Sequence, residues 1–463
     1  MSNQNPTPTP TLLLPHLPPK TLIGIDLITF TSTPNFHGIR DIPLGWHFLY
    51  TGTTEGLSLR CGGWFFVDEP KPKTGLGNET ELRVWRWNDN TESLEPLGVE
   101  QRQEGMRYRA NLGALWRSGG LFGYRSRVTR ALQMAGTGTV SGGGRVEEVD
   151  EEEEEEGKRE WKELTDRFSP TLLSRIMGEP RGLDVDWEWR ERWVVTSGST
   201  AKRDDDDIPG LEGDGHGASS FSNTASSEAV VASGGATGDK EKEFSFLPVE
   251  LKMTWREGAI GRERTEAARD KSWALGEIIH SVSSQSDSAA GDDAEGEAQI
   301  LGELQFTFLM GLTIMNYSCL QQWQRLLRLI FTCRQAIVDR APFMADVLRL
   351  LLLQLQRCDD VEGGLFDQMG SDSDFLRKLL KSFRTALYEV LEDVEGPSPV
   401  KVEFEQLESW VKDEYDWELN RDAVLRKGML QLEDGEEVEL EMLQDEEDDY
   451  APVVVDLPDA SDY

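Results

Sequence analysis

Two hydrophobic periods divide this chain, and each excludes the other's fold. Between residues 21 and 50, Ile23, Ile25 and Leu27 alternate with Gly24 and Asp26, the two-residue period of a half-buried strand. From 299 to 420 the apolar positions recur every three or four residues. Leu304, Phe308, Leu312 and Met315 share one helical face, and Phe375, Leu379, Phe383 and Leu387 another. A pattern written for one period scatters its apolar side chains over both faces of the other element. The expected class is therefore α+β multidomain: a β-rich N-terminal domain, then an α-helical repeat-like C-terminal domain.

Turn residues punctuate the β-rich part, placed at 21–135. Thr33-Pro34-Asn35 and Ile42-Pro43-Leu44-Gly45 break it, and Trp46-His47-Phe48-Leu49-Tyr50 reads as an aromatic strand. Trp64-Phe65-Phe66-Val67 and Leu82-Arg83-Val84-Trp85-Arg86-Trp87 follow as strands, and Leu115-Trp116 and Leu121-Phe122 as a less regular stretch. The tryptophans Trp46, Trp64 and Trp85 are expected in a core; the competing reading makes them line a pocket.

Polar segments frame and interrupt these domains. Residues 1–20 hold six prolines and read as a disordered arm, and 136–160 as an acidic insertion that contains six consecutive glutamates, 151–156. Trp161, Leu164 and Phe168 open a helical connector over 161–197, followed by a disordered Gly/Ser linker, 198–243. That linker's serines are open to phosphorylation or belong to an unmodified spacer. Phe244-Ser245-Phe246-Leu247-Pro248 reads as an extended docked segment leading into the helical domain, 244–420. A disordered insertion is placed at 282–298, and Pro342 at the start of a helix.

Composition narrows the chemistry. With 48 Lys plus Arg against 85 Asp plus Glu, the net charge is −37. Such a surface repels phosphate backbones, basic residues are interleaved with acids, and a basic protein partner fits better than nucleic acid. Cys61, Cys319, Cys333 and Cys358 lack metal-ligand or redox spacing, with Cys319 and Cys333 expected as core thiols. His37 and His47 read as structural, no catalytic motif appears, and no cofactor or metal site is expected. No stretch reaches the roughly 20 apolar residues of a membrane span, and no membrane partner is expected.

The last segment, 421–463, is an acidic tail. Residues 433–463 hold fourteen acids and no Lys or Arg. Within 451–458 lies Pro452-Val453-Val454-Val455-Asp456-Leu457-Pro458, a β-prone island between prolines. It suits addition as a strand to a partner's exposed sheet edge, the flanking acids favouring a basic rim. It suits equally well docking onto this chain's own β domain.

Four blocks, in order, give a resemblance. They are Gly24-Ile25-Asp26 with Phe36-x-Gly38-Ile39, Ile42-Pro43-x-Gly45 and His47-Phe48-Leu49-Tyr50; Trp161-Lys162-x-Leu164-Thr165; Leu301-Gly302-Glu303-Leu304-Gln305-Phe306-x-Phe308 with Trp323-x-Arg325-Leu326-Leu327; and the 451–458 segment. Together they resemble the A1 cistron-splicing factor family, assembly chaperones of the U5 small nuclear ribonucleoprotein. The resemblance implies a non-enzymatic chain in cytoplasm and nucleus. It implies binding to the large U5 pre-mRNA-processing scaffold protein, at its RNase H-like and Jab1/MPN-like domains, holding it immature with no direct nucleic-acid contact. It implies partner binding by Pro452, Val453, Val454, Val455, Asp456, Leu457 and Pro458, with release linked to phosphorylation. The other readings are an enzyme using a pocket in the β domain, or a general acidic chaperone for basic proteins.

Overall fold

The computed structural model describes residues 9–53, 59–68, 82–97, 101–125, 151–179, 192–201, 243–283, 293–358, 374–392, 396–420, 426–431 and 437–442. A β-rich N-terminal part and a helical C-terminal part are both present. Ten strands build two five-stranded sheets: β1 Thr11–Leu13, β2 Thr21–Ile25, β3 Ile28–Thr31, β4 Gly38–Arg40, β5 Gly45–Thr53, β6 Cys61–Val67, β7 Leu82–Asn88, β8 Ser93–Pro96, β9 Leu121–Gly123 and β10 Trp193–Thr196. The first sheet runs β8-β7-β1-β4-β9 and the second β10-β6-β5-β2-β3.

The two-residue period sorts the layers. Ile23, Ile25, Leu49, Phe65 and Val67 face inward between the sheets, against Leu12, Ile39 and Trp85. Their neighbours Trp46, Phe48, Tyr50, Trp64 and Trp193 face the other way, into the core of the helical part. Leu13, Leu82, Val84 and Leu121 point out of the first sheet and are covered by α1, Arg102–Ser118, through Leu112. The order is helix, sheet, sheet, helices, and the second sheet is buried on both faces.

The helical elements are α2 Glu151–Leu164, α3 Pro170–Met177, α4 Gly261–Arg269, α5 Ser272–Ser283, α6 Asp293–Ile314, α7 Tyr317–Ile330, α8 Ala336–Asp339, α9 Ala341–Gln356, α10 Phe375–Glu392 and α11 Pro399–Tyr415. Helix α6 is central: the residues from Gln299 to Ile314 are all buried, which a single apolar stripe does not produce. On α10 the fully buried positions are Leu376, Leu380, Phe383 and Leu387; Phe375 and Leu379 only flank the core, so the buried face is turned from the expected one. Pro342 lies in the first turn of α9, where its missing N–H costs nothing. Cys319, Cys333 and Cys358 are buried thiols.

Several expected boundaries are corrected. Residues 9–20 are no loose arm: β1 is the middle strand of its sheet, with Leu12, Leu13 and Leu14 buried. The prolines confine the strand to three residues yet still serve as acceptors, Pro10 from Ile42 N–H and Pro15 from Trp87 N–H. The stretch after Pro96 contains helix α1. The glutamates 151–156 belong to α2; Glu is a good helix former, acids suit a helix N-terminus, and burial of Trp161 and Leu164 anchors the far end. The connector is helical only to Met177, and β10 then returns to pair with β6.

The insertion at 282–298 is narrower than expected, since α5 reaches Ser283 and α6 starts at Asp293. The linker closes on itself: Phe244 N–H donates to Thr200 O at 2.8 Å and Ala201 bridges Phe244 in parallel. Residues 202–242 lie outside the described residues. In the tail, β11 Arg426–Gln431 and β12 Glu437–Met442 form an antiparallel hairpin. Asp434-Gly435, a turn pair, falls between them in sequence.

Candidate partner-binding surface

The densest motif of the N-terminal block forms a buried knot. Asp26, at φ 55°, turns the chain from β2 into β3. Its carboxylate accepts from the Phe48 N–H at 2.9 Å, the Tyr124 hydroxyl at 2.6 Å and His47 Nδ1 at 2.8 Å. His47 Nε2 donates to the Pro43 carbonyl at 2.9 Å. Both ring nitrogens thus face acceptors, and all polar atoms of the buried pair are satisfied. Burial first, then the Asp26 charge, pushes the Tyr124 hydroxyl well above its ordinary value. Gly24 is needed where a Cβ would sit 2.0 Å from the Tyr50 ring. His47 is structural, as expected, and the three tryptophans are packed in cores rather than exposed to a cavity.

The later blocks form the joint between sheet and helices. Trp161 Nε1 donates to Trp46 O at 2.8 Å, and Trp46 Nε1 to Phe168 O at 3.2 Å. Gly302 lets α3 approach, since a Cβ there would lie 2.6 Å from Leu172 Cδ2. Glu303, wholly buried, accepts from Arg175 of α3 at 2.8 Å, from the Leu247 N–H at 3.0 Å and from Gln322 of α7 at 2.8 Å. Gln305 donates to Asp166 and to Glu163 O, and accepts from the Arg167 N–H. Asn316 caps α7 through the Cys319 N–H and donates to the carbonyls of Thr196, Ser197 and Ser199 at the end of β10. Each polar group is buried with partners from a different segment, which makes one body of the two parts.

These motif residues are therefore architectural and largely inaccessible. The sequence model of the AAR2 N-terminal domain matches residues 8–178, and that of the AAR2 C-terminal repeat region matches residues 246–420. The chain belongs to the AAR2 family. It is similar to the Protein AAR2 homolog of Homo sapiens, 22% identical over 454 residues, covering 97% of this chain and 94% of the relative. It is likewise similar to the Macaca fascicularis homolog, 22% identical over 455 residues, with 98% and 94% covered. Family membership supports a splicing-related assembly role. Strand β10 lies between the two AAR2 matches in sequence, and its pairing with β6 ties that intervening stretch to the N-terminal domain.

The site residues expected from the AAR2 resemblance, 452–458, lie outside the described residues and beyond the matched C-terminal region. Among the described residues no group of His, Cys, Asp or Glu could hold a metal ion, and no helix is long and apolar enough to cross a membrane. One basic stretch went unread in the sequence. Residues 101–146 contain eight arginines (102, 107, 109, 117, 125, 127, 130 and 145) and one acid, Glu104, so basic residues are not interleaved with acids there. Counting charge over short windows rather than over the chain would have found it.

Proposed function

We propose that this chain is a non-catalytic assembly chaperone of the U5 small nuclear ribonucleoprotein in pre-mRNA splicing, working in cytoplasm and nucleus. It binds the large U5 scaffold protein at its RNase H-like and Jab1/MPN-like domains and holds it in an immature state. It touches neither nucleic acid nor membrane directly. The observation that carries this reading is the pair of consecutive AAR2 matches, 8–178 and 246–420. The buried joint supports it further, because a rigid two-part body presents fixed surfaces to a large partner at little ordering cost.

The tail supplies the clasp. Val453, Val454 and Val455 add as a strand to the partner's sheet, Pro452 and Pro458 limit its growth, and Asp456 meets a basic rim next to Leu457. The test is capture of the scaffold's RNase H-like domain by the full chain and by Val454→Asp. A loss of about 1–3 kcal/mol of binding is expected from burying one carboxylate in the added strand. Equal capture by both removes the tail from the mechanism, and no capture by either removes the U5 reading.

A further inference from the structure

The described part of the arginine-rich stretch, 101–125, is built into a surface. Helix α1 covers the outer face of the first sheet, on the side away from the helical part. It buries Leu112, while Arg107, Arg117 and the 52%-exposed Met106 stay on its solvent side. The Arg40 guanidinium, paired with Asp41, lies 4.7 Å from the centre of the Trp116 ring and joins α1 to the end of β4. The acids nearby are engaged: Asp41 pairs with Arg40 and Glu104 with Arg86. Among the described residues no carboxylate pairs with Arg107 or Arg117. A cationic face of this kind is anomalous on a chain of net charge −37.

We infer that this face is the docking site of the chain's own acidic terminus, residues 443–463, in the free protein. That segment holds eight acids (445–449, 456, 459 and 462) and no Lys or Arg. It is tethered to the same molecule, so its effective concentration is of the order of millimolar, ahead of any acidic protein in trans. Reach is sufficient. The hairpin ends Arg426 and Met442 are paired, so the chain on either side of it lets 445–449 extend up to about 45 Å from Asn420, while the two sheets and one helix layer between the helical part and α1 amount to about 30 Å. The open edge of β9, the terminal strand of its sheet among the described residues, lies beside the C-terminal end of α1. The β-prone residues 453–455 dock there while the acids meet Arg107 and Arg117. Self-docking keeps an adhesive strand covered until a partner displaces it. The docking holds whichever partner the tail serves.

The test uses the full chain with Cys61→Ser, leaving buried cysteines, and dyes on Asn90→Cys and Ser461→Cys. Asn90 is exposed in the turn between β7 and β8, on the first sheet but off α1. High energy transfer is expected at low salt. It falls to less than half in about 0.5 M salt, where screening acts within a few ångströms. The same fall is expected with Arg107→Glu plus Arg117→Glu, and with residues 445–449 changed from Asp to Asn and Glu to Gln. Transfer that is low from the start, or unmoved by either charge change, overturns the inference. So does a single-stranded oligonucleotide that binds the wild-type chain through Arg107 and Arg117 while transfer stays low.

Discussion

The indole N–H of Trp161 donates to the backbone carbonyl of Trp46 at 2.8 Å, joining helix α2 to strand β5 across 115 residues of sequence. The rings of Trp46 and Trp193 meet edge to face at 5.6 Å, and Trp64 stacks on Trp161 at 6.1 Å. Sheet and helices therefore share one apolar core, which neither can leave without exposing it to solvent. Unfolding is expected to be a single transition, with far-UV circular dichroism and tryptophan fluorescence coincident in urea. Trp161→Phe keeps most of the apolar area but leaves the Trp46 carbonyl unpaired, lowering stability by about 1–3 kcal/mol. Two separated transitions in the wild type would mean that sheet and helices do not unfold as one core.

Glu303 is the second fastening. Changed to Gln, it puts an amide N–H₂ among donors from Leu247, Gln322 and Arg175, and strands the Arg175 charge, which is only 18% exposed. A loss of about 3–5 kcal/mol is expected in chemical denaturation. Adding Arg175→Met recovers part of it, because the uncompensated charge goes; a strictly additive double variant would show that the pair is not coupled.

Gly24→Ala drives a methyl against the Tyr50 ring, which is fully buried and cannot swing out. Overpacking of this kind costs about 1–3 kcal/mol. Tyr50→Leu in the same chain makes room, so the double variant should unfold at higher urea than Gly24→Ala alone. The opposite order would mean that Gly24 serves its backbone rather than Tyr50.

Alkaline pH should destabilise the fold through Tyr124. Burial and the Asp26 charge hold its phenol protonated in the folded state beyond the pH, about 10, at which it ionises unfolded. The folded state then binds more protons, so stability present below pH 10 is lost as pH rises, by at most about 1.4 kcal/mol per unit for one group. Tyr50 is raised by burial in the same sense. Tyr124→Phe should therefore flatten, without abolishing, the decline of urea midpoints between pH 9.5 and 11. An unchanged slope would remove Tyr124 from the linkage.

Much of this protein was legible in residue order. The alternation through Ile23, Ile25 and Leu27, the helical spacing of Phe383 and Leu387, and the burial of Cys319 and Cys333 all follow from side-chain period and hydrophobicity, which are local properties. The four blocks were legible as a family resemblance before any was legible as structure. Their purpose was not, because Gly302, Glu303 and Gln305 matter only through Leu172, Arg175 and Asp166, more than a hundred residues away.

Sequence by itself determined the strand period of 21–50, the helical period from 299 to 420 and the overall acidity of the chain. Tertiary structure decided that Thr11–Leu13 is a central strand, that Trp193–Thr196 returns to the second sheet, and that one face of α1 is cationic. The reason is physical: propensity and period act between neighbours, whereas a three-residue strand holds only where the rest of a sheet supplies its partners, and a charged surface exists only once folding has chosen which side chains stay in water.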